Sequence, residues 1–307
     1  LGQSLGVDPI PFKTCNYNCV YCQLGRTRPL TCERGNDFPA NEILTQVHKA
    51  LDAHKPGEID YITLVGQGEP TLCASLGDII RGIGEITDIP IAVITNGALL
   101  ARAQVRAELS AADVVMPSLD AGDQPTFRKV NRPCPHLRID EIIEGMTIFQ
   151  RTFSGQLWIE VMLVKGLNDS DESLWSLHKA LTTIQPDRIQ INLPVRPPAE
   201  PWVKIPDEEV VRRAAEILGE AAEVVTPYMG QFDLDQDRDL INAVLAIIRR
   251  HPMREVRLIE TLARYAPQRV RDTLIDLEKS GQARRRIYRN ESFWESTQVR
   301  VGHSAPK

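Results

Sequence analysis

Residues 11–26, PFKTCNYNCVYCQLGR, hold three of the six cysteines of the chain in the pattern C-x3-C-x2-C: Cys15, Cys19 and Cys22. Three thiolates within eight residues can converge on one soft metal centre. Three thiolates on a four-iron cube leave one iron without a protein ligand, and that iron is open to a substrate or cofactor. The polar residues between the cysteines argue against a purely structural trio.

A structural zinc site is the rival interpretation of these cysteines. Cys32 could serve as a fourth ligand, but no second cysteine knuckle accompanies it, as zinc sites usually require. An iron–sulfur cluster is therefore favoured. We interpret Cys32, Cys73 and Cys134 as ordinary small residues of the core or of loops.

The composition is that of a globular protein, with 42% hydrophobic and 25% charged residues in 307. This length suffices for one large or two ordinary domains. No apolar run approaches the roughly 18 residues that span a bilayer, so we expect no membrane contact. Cysteines without a secretion signal predict a reduced, cytoplasmic protein. The start at Leu1 leads us to expect a short preceding segment.

Strand and helix patterns alternate about six times in the first 230 residues. Most of the strands are nearly continuous apolar runs, as in buried parallel sheets, and they are predicted at 5–10, 61–65, 89–95, 114–119, 157–164 and 188–193. This order predicts an α/β fold, a partial (β/α)6 TIM-like barrel with its chemistry at the carboxyl ends of the strands. Most of the predicted strands are followed by glycine or polar residues. Gly66-Gln67-Gly68-Glu69, for example, follows the strand predicted at 61–65. The cysteine loop follows the first strand on the same side.

A small basic module follows the barrel. Residues 238–307 contain 15 basic and 8 acidic residues, whereas residues 1–237 contain 21 and 33. Three predicted helices (240–250, 254–264 and 267–279) and a basic hairpin (284–294) have the outline of a winged helix. We therefore predict a barrel at 1–230, a linker at 231–236 and a winged-helix-like domain at 237–307.

The cysteine motif, with Tyr21 before its third cysteine and Gly66-Gln67-Gly68-Glu69-Pro70 one strand later, resembles radical S-adenosylmethionine (radical SAM) enzymes. The resemblance extends through residues 1–200. It implies a 4Fe–4S cluster on Cys15, Cys19 and Cys22, with SAM bound to the fourth iron. It also implies an enzyme whose reduced cluster passes one electron to SAM. The cleavage gives methionine and a 5′-deoxyadenosyl radical, which abstracts hydrogen from a substrate. The implied cofactor-binding residues are Tyr21, Gly66, Gly68, Glu69, Ser118, Asp120 and Asn192.

Within that superfamily, the chain most resembles the iron–sulfur oxidoreductases related to wyosine-type tRNA modification enzymes. SLGVD-x-x-P-x-K-x-C at residues 4–15, VRPPAEPWVKIPDEE at 195–209 and the C-terminal module carry this resemblance. One departure is that wyosine synthases have further cysteines upstream for a second cluster, and the 14 residues before Cys15 contain none.

Three functional classes stay open at this point. A tRNA or other nucleic acid is favoured, with Arg284, Arg285, Arg286 and Arg289 on phosphates. A peptide or protein is the first alternative, and a non-enzymatic iron–sulfur sensor with a DNA-binding winged helix is the second. The radical reaction implies a one-electron donor of the flavodoxin or ferredoxin type. The basic stretch at 128–132 is interpreted as a solvated loop that could alternatively meet an anionic substrate.

Overall fold

The computed structural model describes residues 1–225, 240–249 and 251–297. They form two compact units, of which the first contains most of residues 1–225. The second joins Gln23–Gly25 and Val195–Pro201 to the residues from 240 onward. The predicted linker at 231–236 lies outside the described residues, and the domain limits 1–230 and 237–307 stay predictions.

The first unit is built on a parallel sheet whose strands are β1 (Ser4–Val7), β2 (Tyr61–Leu64), β3 (Ile91–Thr95), β4 (Val114–Pro117), β5 (Gln156–Met162), β6 (Arg188–Asn192) and β7 (Ala222–Val224). Each strand pairs in parallel with the next along the chain. This confirms the predicted α/β fold of the TIM-like partial-barrel type. Among the described residues the sheet has seven strands, whereas the sequence predicted six. The prediction missed the short edge strand β7 because β7 lacks the apolar run by which the other strands were recognised.

Helices connect the strands as parallel pairing requires. They are α1 (Ala40–Asp52), α2 (Leu76–Ile86), α3 (Ala103–Leu109), α4 (Gln124–Val130), α5 (Ile139–Thr152), α6 (Asp171–Ile184) and α7 (Glu208–Leu218). Helix α4 corrects the interpretation of residues 128–132 as a loop in part, because residues 128–130 are helical and only Asn131 and Arg132 follow the helix. The Asp123 carboxylate caps this helix by accepting the Thr126 N–H at 2.8 Å.

Side chains of β5 alternate between the two faces of the sheet. Ile159 and Val161 pack in the main core with residues of the helices. Trp158 belongs to a separate apolar cluster of strand residues. Glu160 follows Trp158 at a spacing of two, so a carboxyl group lies on the face opposite the main core, between Trp158 and Met162.

The second unit contains α8 (Leu240–Ile248), α9 (Glu255–Thr261), α10 (Pro267–Lys279) and the strands β8 (Met253–Arg254), β9 (Ala283–Tyr288) and β10 (Glu291–Ser296). The strands form an antiparallel sheet in the order β8-β10-β9. The unit has its own apolar core, to which Val244, Leu258, Leu274 and Trp294 contribute. The three helices and the basic hairpin were predicted, and their assignment as a winged helix stays a prediction. Among the described residues, no helix is long and apolar enough to cross a membrane.

Candidate active site

The cysteine loop is bound along its backbone to the chain that leaves α4. The N–H groups of Val20 and Asn18 donate to the carbonyls of Val130 and Asn131 at 3.0 Å each. The Cys134 N–H donates to the Asn16 carbonyl at 2.9 Å. These bonds hold the loop at the carboxyl end of the sheet, where the sequence predicted the chemistry.

All three thiols of the loop accept hydrogen bonds from nitrogen atoms. The donors are Tyr17 N (3.4 Å) and Asn96 Nδ2 (3.6 Å) to Cys15, Asn131 Nδ2 (3.5 Å) to Cys19, and Lys13 Nζ (3.3 Å) to Cys22. Such donors favour the thiolate form and adjust the reduction potential of an iron–sulfur cluster. The loop therefore provides the thiols with a polar environment that includes one cation, Lys13.

Burial dominates the ionisation of these thiols. Burial, followed by the charge of Glu69, raises the pKa of the Cys15 thiol to about 12. Burial also raises the pKa of the Cys19 thiol well above its ordinary value. A bound cation reverses this preference, because a coordinated thiol is deprotonated outright.

The chemistry of the donors decides which group the cysteines suit. Thiolates are the ligands of iron–sulfur clusters, and a cube held by three of them keeps one iron without a protein ligand. Cys32, the fourth ligand of the zinc alternative, lies ten residues beyond Cys22, and burial raises the pKa of its thiol to about 12. The donor set thus suits a 4Fe–4S cluster on Cys15, Cys19 and Cys22.

Glu69 is a buried carboxylate that organises the chain beneath the cysteine loop. It is 1% exposed, and burial raises its pKa. It accepts hydrogen bonds from Thr71, from the Thr95 hydroxyl and from the Asn96 N–H at 2.7 Å. Asn96 in turn donates to Asn16 Oδ1 at 2.6 Å and to Cys15. Glu69 therefore positions Cys15 through Asn96, and its contact with SAM stays a prediction.

Gly66 and Gly68 make room for the chain that enters the cysteine loop. A Cβ atom on Gly66 would lie 2.6 Å from Ile10 Cγ2, and one on Gly68 would lie 2.2 Å from the Thr14 carbonyl oxygen. That carbonyl also accepts the Glu69 N–H at 2.8 Å. The sequence suggested that glycine leaves space for a ligand, whereas here the space is filled by the chain itself. Their contact with SAM is untested.

Asp120 is a second buried carboxylate and joins the other end of the loop to the sheet. It is 3% exposed, and burial raises its pKa. It accepts the Tyr21 hydroxyl at 2.5 Å, Asn131 Nδ2 at 2.6 Å and the Met162 N–H at 2.8 Å. The predicted SAM contacts Tyr21 and Asp120 thus bond to each other.

Two other predicted SAM contacts lie at strand ends. Ser118 follows β4, and its hydroxyl makes no hydrogen bond to another described residue, whereas its N–H donates to the Thr95 carbonyl at 2.9 Å. Asn192 ends β6, and its amide donates to Glu160 Oε1 at 2.9 Å. Both positions agree with a site at the carboxyl ends of the strands.

The sequence analysis assigned no role to Lys13 or Asn96, treated Asn131 only as part of a loop, and missed Glu160. Asn96 lies in the polar segment directly after β3, and this position could have marked it as a residue of the site. Asn131 combines a bond to Cys19 with a buried Oδ1 that has no partner in the described structure. A buried acceptor without a partner, next to Cys19, suits a bound molecule that donates hydrogen bonds.

Replacing Asp120 by alanine is expected to destabilise the first unit by about 3–5 kcal/mol, because three buried donors lose their acceptor. Tyr21→Phe, which removes one of the three donors, is expected to cost about 1–2 kcal/mol. Urea unfolding monitored by tryptophan fluorescence gives both values. Equal costs for the two variants would contradict the role of Asp120 as the common acceptor.

Glu160 is expected to make stability depend on pH. Burial raises its pKa to about 7 from 4.5, the Asn192 amide opposes the rise and the charge of Asp120 adds to it. Between pH 4.5 and 7 the unfolded chain has lost this proton and the folded chain keeps it. Stability therefore falls by about 3 kcal/mol as pH rises through this window, then levels off. The measurement is the free energy of urea unfolding at a series of pH values for the wild type and for Glu160→Gln. The difference between the two pH profiles gives the contribution of Glu160, and identical profiles would refute the prediction.

The comparisons with known proteins agree with this geometry. Residues 10–176 match the family model of the Radical SAM superfamily. The chain is 42% identical over 214 residues to the GTPase Obg of Brachyspira hyodysenteriae, covering 70% of this chain and 31% of that protein. It is 35% identical over 266 residues to the UPF0026 protein MJ1312 of Methanocaldococcus jannaschii, covering 85% of this chain and 83% of that protein.

Solved structures share the fold. Streptococcus suis SuiB bound to precursor peptide SuiA has a TM-score of 0.56 at 17% identity, over 74% of this chain and 49% of that chain. TYW1 with a lysine-pyruvate adduct bound has a TM-score of 0.54 at 17% identity, over 72% of this chain and 74% of that chain. This chain thus spans about half of SuiB and under a third of the Obg protein.

The family match covers more than half of the chain, and the M. jannaschii relative is matched over most of its length. The chain therefore belongs to the radical SAM superfamily. This membership supports an enzyme that performs SAM-dependent radical chemistry.

Proposed function

We propose that this chain holds a 4Fe–4S cluster on Cys15, Cys19 and Cys22 and binds SAM at the iron that has no protein ligand. On one-electron reduction, bound SAM supplies a 5′-deoxyadenosyl radical that takes a hydrogen atom from the substrate. The observation that carries this proposal is the cysteine loop, whose thiols all accept nitrogen donors at the carboxyl end of the sheet. A flavodoxin- or ferredoxin-type protein is the proposed electron donor.

The residues around the loop have distinct proposed roles. Lys13, Asn96 and Asn131 donate to the sulfur ligands and adjust the cluster potential. The Ser118 hydroxyl and Asn131 Oδ1 are proposed to bind polar groups of SAM. The Ser118 hydroxyl makes no hydrogen bond to another described residue, and Asn131 Oδ1 is buried without a partner among them. The other proposed cofactor contacts are Tyr21, Gly66, Gly68, Glu69, Asp120 and Asn192.

The proposed substrate is a tRNA or another nucleic acid. Its support is the basic character of residues 238–307 and the arginines of the β9–β10 hairpin. Arg284 pairs with Glu295 at 2.6 Å, and Arg286 lies 3.9 Å from the same carboxylate. Arg285 and Arg289 have no ion pair within the described residues. Contacts to phosphate are therefore proposed for Arg285 and Arg289 in particular.

The arginine assignment is tested by the salt dependence of tRNA binding. The double variant Arg285→Gln/Arg289→Gln is expected to lower the slope of log K against log salt concentration by about 1–2. Arg257→Gln is the control, because Arg257 already pairs with Glu260 at 2.7 Å and should leave the slope nearly unchanged. Equal slopes for wild type and the double variant would remove these two arginines from the interface.

The substrate class is tested by deuterium transfer. Anaerobically reconstituted protein with SAM and dithionite is supplied with tRNA, or with peptides, from cells grown in heavy water. Deuterium in 5′-deoxyadenosine from the tRNA fraction alone is expected. Deuterium from the peptide fraction alone would favour the peptide alternative. Failure to cleave SAM with either fraction would favour a sensor.

A further inference from the structure

The inner face of the parallel sheet is the face that carries Trp158, Glu160 and Met162 of β5. The other face packs against the helices, because Ile159 and Val161 belong to the main core. Trp158 and Met162 each pack in an apolar cluster, so the carboxyl group of Glu160 lies between two apolar side chains of its own strand. Burial of a carboxyl group in such surroundings costs free energy, and its presence therefore indicates a function.

Glu160 lies beside two residues of the proposed SAM site. It forms a β-bridge with Ser118, which follows β4. Its Oε1 accepts the Asn192 amide at 2.9 Å. The parallel pairing of β5 with β6 also sets Glu160 opposite Gln190. The carboxyl group is thus held next to the place where the proposed reaction begins.

One oxygen of this carboxyl group is available to a bound molecule. Asn192 bonds to Oε1, whereas Oε2 accepts no hydrogen bond and forms no ion pair with another described residue. Oε2 is also not enclosed by protein atoms. Glutamine keeps an acceptor oxygen for Asn192, so replacing Glu160 by glutamine removes the ionisable group and retains this bond.

Two charged groups lie on the strands that pair with β5. Burial raises the pKa of Glu160 to about 7, the Asn192 amide opposes the rise, and the charge of Asp120 after β4 adds to it. Arg188 of β6 lies over the Trp158 ring instead, with its Cζ 4.6 Å from the ring centre. Near neutral pH the carboxyl group therefore exchanges between its acid and base forms, as a proton-transfer group must.

We infer that Glu160 is the general base of the substrate reaction and takes a proton from an O–H or N–H group on the substrate carbon that loses its hydrogen atom. The inference deepens the proposed function and rests on it for the radical that removes this atom. A substrate of this class has a hydroxyl or amino group on its reacting carbon, and the ribose of RNA carries such a hydroxyl.

The atoms and electrons of this step balance. The C–H bond and the O–H or N–H bond of the substrate break, while a C–H bond of 5′-deoxyadenosine and an O–H bond on Glu160 form. The unpaired electron stays on the substrate, so the step needs no further oxidant or reductant.

The test measures the rate of deuterium transfer into 5′-deoxyadenosine. Anaerobically reconstituted protein receives SAM, dithionite and an extract of cells grown in heavy water. Glu160→Gln is expected to lower the rate by about 100-fold or more, as loss of a general base does. Calorimetry is expected to show a change of less than about threefold in its Kd for SAM, because the bond to Asn192 is retained. Glu160→Asp, which keeps a carboxyl group, is expected to recover part of the rate.

A control variant and a pH profile separate proton transfer from a structural role. Glu144→Gln removes a carboxyl group from the exposed side of α5 and should change the rate less than about twofold. The wild-type rate should rise as pH increases through about 7, because only the ionised carboxylate of Glu160 accepts a proton. This rise should be absent in Glu160→Gln. Dividing each rate by 5′-deoxyadenosine formation without extract at the same pH removes the effect of pH on reduction.

The other outcomes would overturn the inference. Equal effects of Glu160→Gln and Glu144→Gln, or a pH profile that Glu160→Gln leaves unchanged, would do so. A loss of SAM affinity as large as the loss of deuterium transfer would assign Glu160 to the cofactor instead. If Glu160→Gln transfers deuterium as fast as the wild type, this inference fails and the proposed function stands. Wild-type protein that forms no 5′-deoxyadenosine would contradict the proposed function itself.

Discussion

Serine at Cys15, Cys19 or Cys22 is expected to abolish both iron incorporation and SAM cleavage. A serine oxygen is a harder ligand than a thiolate, and the pattern holds no spare cysteine between residues 15 and 22. Each single variant should therefore contain far less than one cluster per chain after anaerobic reconstitution. Iron and acid-labile sulfide analysis, together with electron paramagnetic resonance of the reduced protein, gives the result.

Cys32→Ser is the matched control for these variants. Cys32 is the fourth ligand that a zinc site would need, but it lies outside the C-x3-C-x2-C pattern, so a cluster on the three cysteines of the pattern does not need it. This variant should keep a full complement of iron and its cleavage of SAM. A cluster that is lost in Cys32→Ser and retained in Cys22→Ser would contradict the assignment of the ligands.

Alanine at Gly68 is expected to disrupt the entry to the cysteine loop. The added Cβ would lie 2.2 Å from the Thr14 carbonyl oxygen, and a backbone atom cannot move aside as a flexible side chain does. Displacing Thr14 also strains its bond with the Glu69 N–H. The expected loss is about 1–3 kcal/mol of unfolding free energy, with lower iron content. Urea unfolding and iron analysis measure the two effects.

Gly84→Ala provides the comparison. Gly84 lies in α2, and a Cβ atom there would meet nothing within 4 Å. Alanine at this position is expected to stabilise the helix by about 0.5–1 kcal/mol. If the two alanine variants were equally stable and equally loaded with iron, the close approach of Gly68 to Thr14 would not be a constraint on the loop.

Much of the fold of the first unit could be predicted from the sequence because its buried strands are apolar runs. Strands β2 to β6 follow such runs, whereas β7 has two exposed residues among three and gave no signal. Helix α4 was missed because its basic residues, Arg128 and Lys129, face solvent and read as a loop. The N-cap residue Asp123 was the feature of the sequence that could have indicated the start of this helix.

The candidate site was predictable in its ligand types but not in its connections. The spacing of the cysteines is local, so the sequence displays it. The bond between Tyr21 and Asp120 joins residues 99 apart, and the sequence has no signal for such a pair. The glycines of Gly66-Gln67-Gly68 were visible, but the neighbour that requires Gly68, the Thr14 carbonyl, is known only from the fold.

The basic hairpin shows the same limit of sequence reasoning. Arg284, Arg285 and Arg286 look equivalent in the sequence. In the sheet, β9 and β10 pair so that Glu295 lies opposite Arg284, and its carboxylate also approaches Arg286. Register therefore separates the arginines that have an acidic partner from Arg285, which has none within the described residues.

The most direct test of the central claim is the cleavage of SAM by the anaerobically reconstituted protein after reduction with dithionite. The account predicts that the wild type forms 5′-deoxyadenosine and methionine in a one-to-one ratio and that Cys32→Ser does the same. It predicts neither product from Cys15→Ser. Wild-type protein that contains a full cluster and binds SAM, but forms no 5′-deoxyadenosine even with cell extract as a source of substrate, would contradict it.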